Sequence, residues 1–214
     1  VEVLDGPAGR QILDTLEEHN MYGVNFWGAG FRNITNNTRP VKSTADLKGI
    51  RMRVMQAPIL ITQYKAWGAQ PTAMAFTEVY NGLQQGVVHG QENPLANIAT
   101  MRFYEVQKYM TLTNHAYHGY AAVVNKYAWD SLPKDLQQIM IEAFNNGRDY
   151  ARELTLEDEK NILERIKGQI EIYQLTDAER QAFVRDSLAI HKEFEKVVTP
   201  QLLKTVHAAA GIKP

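Results

Sequence analysis

Between residues 133 and 167, apolar or small residues recur at intervals of mostly three or four: Leu136, Ile139, Ala143, Gly147, Tyr150, Leu154, Ile162 and Ile166. That spacing is one face of an α-helix. At about 1.5 Å per residue such a helix is roughly 50 Å long, about twice what one small lobe can cover. It predicts a chain of two lobes with the helix lying across both, and its pattern loosens near Glu157-Asp158-Glu159.

The remaining segments alternate between short strands and helices, so the expected class is α/β. Residues 1–4 read as a strand end, and a helix follows Asp5-Gly6-Pro7 with Ile12, Leu13 and Leu16 on one stripe. Residues 21–27 are a strand candidate rich in aromatic residues. Ser43 with Asp46 can cap a short helical turn. Helices are expected over residues 58–67 and from Pro94 to 101. Residues 109–112 read as a short strand, and residues 115–125 as a strand whose apolar end, Tyr120-Ala121-Ala122-Val123-Val124, is buried between lobes. Residues 169–173 are a final strand, Thr176 with Glu179 forms a capping box, and Pro200 opens a last amphipathic helix.

Residues 50–94 hold the densest information. In Ile50-Arg51-Met52-Arg53-Val54 the apolar residues alternate with two arginines, so a strand here buries one face and presents guanidinium groups on the other. Phe76, Val79, Tyr80 and Leu83 have helical spacing, with Gly86 placed for a left-handed cap. An apolar strand is expected to stop at Gly90, and Asn93 to sit at a strand-to-helix junction before Pro94. Such junctions at the carboxyl ends of strands are where α/β sheets usually receive small ligands.

Four segments in this order, Asp46-Leu47-Lys48-Gly49-Ile50-Arg51-Met52-Arg53-Val54, Met74-Ala75-Phe76-Thr77-Glu78-Val79-Tyr80, Gln91-Glu92-Asn93-Pro94 and Phe103-Tyr104-Glu105-Val106-Gln107-Lys108-Tyr109, resemble the substrate-binding proteins of TRAP transporters, the C4-dicarboxylate-binding (DctP-type) family. The resemblance runs on through Asn114-His115 and Leu175-Thr176 and covers essentially the whole chain. It implies a two-lobe fold of the periplasmic binding-protein type (type II), a periplasmic location, a small organic acid as ligand and the membrane subunits of a TRAP transporter as partners. It also implies that the amino-terminal part of lobe one is missing: residues 1–30 would be partial lobe one, residues 31–117 lobe two, and residues 118–214 the return to lobe one with the crossing helix and a C-terminal helical segment. The apolar surface so uncovered would be covered by a missing fragment or by self-association.

The resemblance names the candidate ligand residues. Arg53 matches the family's carboxylate-binding arginine, whose planar fork suits two parallel bonds to an acid; taken alone, an arginine on a strand is more often a surface ion-pair partner. Arg32, after the Gly28-Ala29-Gly30 crossing, resembles a second basic position near the ligand. Asn93 matches a ligand-contacting asparagine, and it is equally suited to cap the helix before Pro94. Phe76 resembles an aromatic packed on the ligand's carbon skeleton, or belongs to the core. Gln56 and His115 sit where the family places further polar contacts. Arg51 is expected to face solvent, and His89 replaces an aspartate usual in the family.

Composition narrows the alternatives. With 214 residues, 44% of them hydrophobic, the chain can fill one or two cores. A formal net charge of -1 gives no bulk attraction to nucleic acid or to a membrane surface. The absence of cysteine excludes a disulfide framework and thiolate metal sites. No run approaches the ~18 apolar residues of a membrane span, and no signal-like segment opens the chain, which is read as processed or truncated. His115 and His118, three apart on a strand, make no metal pair, and no cofactor motif is present. The rival readings are a hydrolase or isomerase acting on carboxylates with Glu78 or Glu92 as base, and the input domain of a signalling receptor.

Overall fold

The computed structural model describes residues 2–212. In chain order its elements are α1 (Glu2–Asp5), α2 (Pro7–Asp14), β1 (Met21–Asn36), β2 (Arg51–Val54), α3 (Pro58–Ala66), β3 (Gln70–Ala73), α4 (Val79–Gln84), β4 (Gly90–Pro94), α5 (Leu95–Thr100), β5 (Tyr109–Asn125), α6 (Lys126–Asp130), α7 (Lys134–Ile166), β6 (Glu171–Gln174), α8 (Asp177–His191), α9 (Glu195–Val198) and α10 (Pro200–Ala209). They form two compact units, residues 2–29, 119–156 and 195–212 in the first and residues 30–118 and 157–194 in the second. Residues 157–194 therefore fall in the second unit, whereas the expected boundaries grouped residues 118–214 as the return to lobe one, the crossing helix and a C-terminal helical segment. The reason is packing: Ile162 and Ile166 enter one core of the second unit, Phe183 enters the other, and β6 pairs with β5.

In the second unit, β2 is parallel to β3 and to β4, β4 is antiparallel to β1, and β5 is parallel to β6, in the sheet order β3-β2-β4-β1-β5-β6. Asn37 Oδ1 accepts from Lys108 N and Thr113 Oγ1 donates to the Arg32 carbonyl, so β5 runs against β1. The carboxyl ends of β2 and β4 thus lie at one end of the sheet with Arg32. Two cores cover the two faces. One joins Ile34, Met52 and Val54 of the sheet to Leu60, Tyr64 and Trp67 of the α3 region; the other joins Val79, Leu83, Ile98, Phe103, Ile162 and Ile166.

The expected apolar strand ending at Gly90 is not formed. The strand is Gly90–Pro94 itself, every residue buried, and Pro94 rather than Asn93 caps α5. A polar sequence can do this because its groups are paired: Gln91 Nε2 donates to Thr35 Oγ1 at 2.9 Å, Thr35 Oγ1 to Gln107 Oε1 at 2.9 Å, and Asn93 Nδ2 to Gln91 Oε1 at 2.6 Å. Gly90 is required where β1, β4 and β2 meet, since a Cβ there would stand 2.5 Å from the Thr35 carbonyl oxygen.

In the first unit, the segment expected as a strand forms helix α1 instead, with Val1 outside the described residues. Gly9 lets α2 lie directly on α1, because a Cβ there would be 1.9 Å from the Leu4 carbonyl oxygen. Tyr22 stacks on Trp129 with ring centroids 4.2 Å apart, and Arg152 pairs with Asp5 and donates to the Phe26 carbonyl.

The long helix is continuous over 33 residues, residues 134–156 belonging to the first unit and residues 157–166 to the second. Its sequence-chosen stripe is split in the same way. Ile162 and Ile166 are buried, whereas Leu136, Ile139, Tyr150 and Leu154 are between 44% and 64% exposed. The helix instead turns Gln137, Arg148 and Arg152 inward, with Gln137 Nε2 donating to the Trp129 carbonyl at 2.8 Å. The two strands expected at residues 109–112 and 115–125 are one strand, β5, and its apolar end is open: Tyr120 and Val123 are exposed, where burial was expected. The first unit therefore leaves apolar side chains of both α7 and β5 exposed.

Candidate functional site

Registers decide which side chains share a face of the second unit's sheet. Arg53 is opposite Gln91 in the β2–β4 pair, and Asn33 is opposite Asn93 in the β1–β4 pair, so Arg53, Gln91, Asn93 and Asn33 lie on one face. Glu92 is opposite Ile34 and alternates to the other face, where Arg32 is its diagonal neighbour. Arg32 and Arg53 thus serve opposite faces of one sheet end.

Arg32 grips Glu92 with both arms of its fork. Nε donates to Oε2, and Nη2 donates to Oε1 at 2.7 Å and to the Glu92 carbonyl at 3.1 Å. Both side chains are withdrawn from solvent. Each end of this pair meets an imidazole. Arg32 Nη1 lies 2.6 Å from His118 Nδ1, and a guanidinium has no acceptor, so Nδ1 must be bare and the neutral ring must carry its proton on Nε2. At the other end His115 Nε2 is 3.6 Å from Glu92 Oε2 and 3.3 Å from the Tyr64 hydroxyl, while Thr113 Oγ1 is 2.8 Å from His115 Nδ1.

These contacts set the titration. Burial raises the Glu92 carboxyl, but the bonds from His115 and Arg32 outweigh it and hold the group below its ordinary 4.5. Burial and then the Arg32 charge lower His118 below its ordinary 6.5, against a weaker pull from Glu92. A base whose folded pKa is depressed stabilises the fold above the unfolded value, and that stability is lost as pH falls from about 6.5 through the folded value. His118→Asn keeps an uncharged oxygen for Arg32 and should flatten the loss between pH 7.5 and 5.5 in urea titrations. His89, lowered by burial and Arg51, gives a remaining slope in the same direction. An unchanged slope in the variant would discount the Arg32–His118 contact.

Arg53 is different. It is only 3% exposed, its Nε and Nη2 both donate to the Met74 carbonyl at 3.0 and 2.8 Å, and it takes part in no ion pair among the described residues. Burial lowers its pKa, with the charge of Glu92 opposing. The Phe76 ring lies 6.0 Å from the guanidinium carbon, edge-on to Phe103, and is 37% exposed. A buried guanidinium without a counter-ion carries a desolvation cost that a matching carboxylate would offset.

Of the residues chosen from sequence, Arg53, Asn93 and Phe76 are thus brought to one face. Asn93 donates to Gln91 and accepts from Asn97 Nδ2 at 3.2 Å, which leaves one amide hydrogen. Gln56 is exposed in the turn after β2. Arg32 and His115, expected as ligand contacts, are instead engaged with Glu92 on the other face. His118 and Thr113 belong to that cluster and were not chosen; the signal for His118 was its place three residues beyond His115. Arg51 is exposed, and its side chain donates to the carbonyls of Gly86 and Val87. His89 Nδ1 accepts from Arg51 N at 3.4 Å. Among the described residues no cluster of three or more metal-ligating side chains occurs, and no helix is long and apolar enough to cross a membrane.

The sheet end thus presents a buried guanidinium, without an ion-pair partner among the described residues, beside a partly exposed aromatic ring. The chain belongs to the bacterial extracellular solute-binding protein family 7, DctP, whose profile matches residues 1–197. It is 38% identical to the C4-dicarboxylate-binding periplasmic protein DctP of Rhodobacter capsulatus over 98% of this chain and 63% of that protein. Its fold is similar to that of a TRAP periplasmic solute binding protein from Sulfurospirillum deleyianum with bound succinate, at TM-score 0.85 and 35% identity over 97% of this chain and 69% of that one. It is also similar to the sugar acid binding protein of Advenella mimigardefordensis in complex with galactonate, at TM-score 0.87 and 31% identity over 99% and 69%. The chain thus spans less than two thirds of the Rhodobacter protein it matches.

Proposed function

We propose that this chain is the larger part of an extracytoplasmic solute-binding protein of a TRAP transporter, located in the periplasm, which captures a small organic acid and delivers it to membrane subunits. The observation that carries the reading is Arg53, a guanidinium almost fully withdrawn from water with only the Met74 carbonyl as its bonded partner. Asn93 supplies an amide hydrogen on the same face, and Phe76 an apolar surface for the ligand's carbon skeleton. Of the two bases the enzymatic alternative offered, Glu92 is held ionised by its bonds from His115 and Arg32 and has no exposed surface, and Glu78 is an exposed residue of the turn before α4. The test is a thermal-shift screen of the full-length protein against organic acids. An acid present at about 100 times its dissociation constant should add roughly 2.7 kcal/mol of stability. Uniform silence across mono-, di- and sugar acids would count against the reading.

The exposed stripe of α7 and the open end of β5 belong to the same reading. We assign them as the seat of a further segment of the intact protein, in keeping with the share of each relative that lies outside the match. The full-length protein should then bind far less of an apolar dye such as ANS than residues 1–214 alone; equal binding would remove this assignment.

A further inference from the structure

We infer that the contact between Arg32 and His118 is a proton-released clip on the two strands that carry the chain out of the second unit, closed while the imidazole is neutral and open once it is protonated. The fold supplies the place. β1 leaves the second unit between Ala29 and Gly30, and β5, its neighbour in the sheet, leaves it between His118 and Gly119. Gly28, Gly30 and Gly119 offer no side chain to pack at this point, and Gly30 holds φ 92°, which a residue with a Cβ rarely adopts. Strands so poor in side chains depend on their next neighbours. Just inside the second unit Phe31 meets Tyr117 edge-on, with ring centroids 5.2 Å apart, and Arg32 Nη1 donates to His118 Nδ1 at 2.6 Å.

The second of these contacts depends on a proton. Protonation makes both ring nitrogens donors and sets a second cation against the guanidinium, so the bond is abolished and replaced by repulsion. His118 is the partner that moves, because the ring is half-buried whereas Arg32 is 3% exposed and keeps Nε and Nη2 on Glu92. The charges acting on the ring are Arg32 on β1 and Glu92 on β4, and the cluster's other imidazole, His115, meets Glu92 at 3.6 Å. Burial and the Arg32 charge disfavour the imidazolium more than Glu92 favours it, so the clip is closed at neutral pH and opens as the medium turns acid. Glu92 keeps its own charge through that change, its carboxyl being held below 4.5. The passage of the chain between the two units thus loosens with acidity.

The experiment is amide hydrogen exchange of the full-length protein at pH 7.5 and 5.0, read as protection relative to the unfolded-chain rate at each pH. Protection of residues 30–32 and 116–119 should fall about tenfold between the two, while residues 109–112, where β5 pairs with β6, keep theirs. His118→Asn can place an amide oxygen where Nδ1 stands and should hold the high protection at both pH values. His118→Gln, whose oxygen lies one bond farther out, and His118→Lys, a permanent cation, should show the low protection at both. Unchanged protection in the wild type, an equal fall at residues 109–112, or a fall in His118→Asn as large as in the wild type overturns the inference. A His118 ring that titrates at or above 6.5 when followed by NMR overturns it as well.

Discussion

Glu92→Ala should destabilise the protein by about 3–5 kcal/mol, because it leaves the Arg32 guanidinium buried without its carboxylate. The same substitution removes the carboxylate that lies 3.6 Å from His115 Nε2, so the loss falls on a connected group of side chains. Replacing both partners, Arg32→Met with Glu92→Leu, should cost far less than the single change, since no charge is then stranded. Urea unfolding of the two single variants and the double variant gives the coupling directly. Additive losses would mean that the pair contributes nothing as a pair. The wild-type protein should also lose stability as pH falls below 4.5 through the lowered pKa of Glu92, where its carboxylate protonates and the pair is broken.

Arg53→Ala should behave in the opposite sense. Without ligand, the substitution removes a desolvated charge that has no ion-pair partner among the described residues, so the free protein should be as stable as wild type or more so. Binding of the acid should fall by the roughly 1.5–3 kcal/mol of a charged hydrogen bond, about ten- to hundredfold. Arg53→Lys keeps the charge and loses the planar two-point grip, so it should fall between the two. Calorimetry with the best acid from the screen, paired with urea unfolding of the free protein, tests both halves. Affinity within a factor of a few of wild type in Arg53→Ala would remove Arg53 as the carboxylate receptor.

Much of the frame was legible because local rules act within a few residues. The capping box of Thr176 and Glu179 starts α8 as its spacing says, and Pro58 opens α3. The long helix follows from a periodic pattern sustained over 30 residues or so. What the pattern did not reveal is that half of the stripe faces solvent, because periodicity shows that a face exists and says nothing of what covers it. Strand β4 was missed because Gly-Gln-Glu-Asn-Pro has no hydrophobic alternation; its burial rests on side-chain partners supplied by Thr35 and Arg32, more than 50 residues away in the chain. For the same reason Arg32 read as a ligand contact. Its partner is fixed by a cross-strand diagonal, which becomes visible only once register is known. The face of His115 was also hidden, since Asn114 adopts φ 45° and interrupts the pleat that carries the count along β5.

Strand β4 places two demands on one frame. Its odd-numbered positions, Gln91 and Asn93, line the Arg53 side, while Glu92 between them locks Arg32 on the reverse side. Substitutions can adjust either side by itself, so ligand preference can drift while the ionic lock stays fixed. Length changes have no such freedom. Gaining or losing a single residue inside Gly90–Pro94 without a compensating bulge would transpose the two sides together for the residues beyond it, stranding the carboxylate beside Phe76 and the amides in an apolar core. The strand therefore tolerates replacement of one side at a time far better than a change of its length.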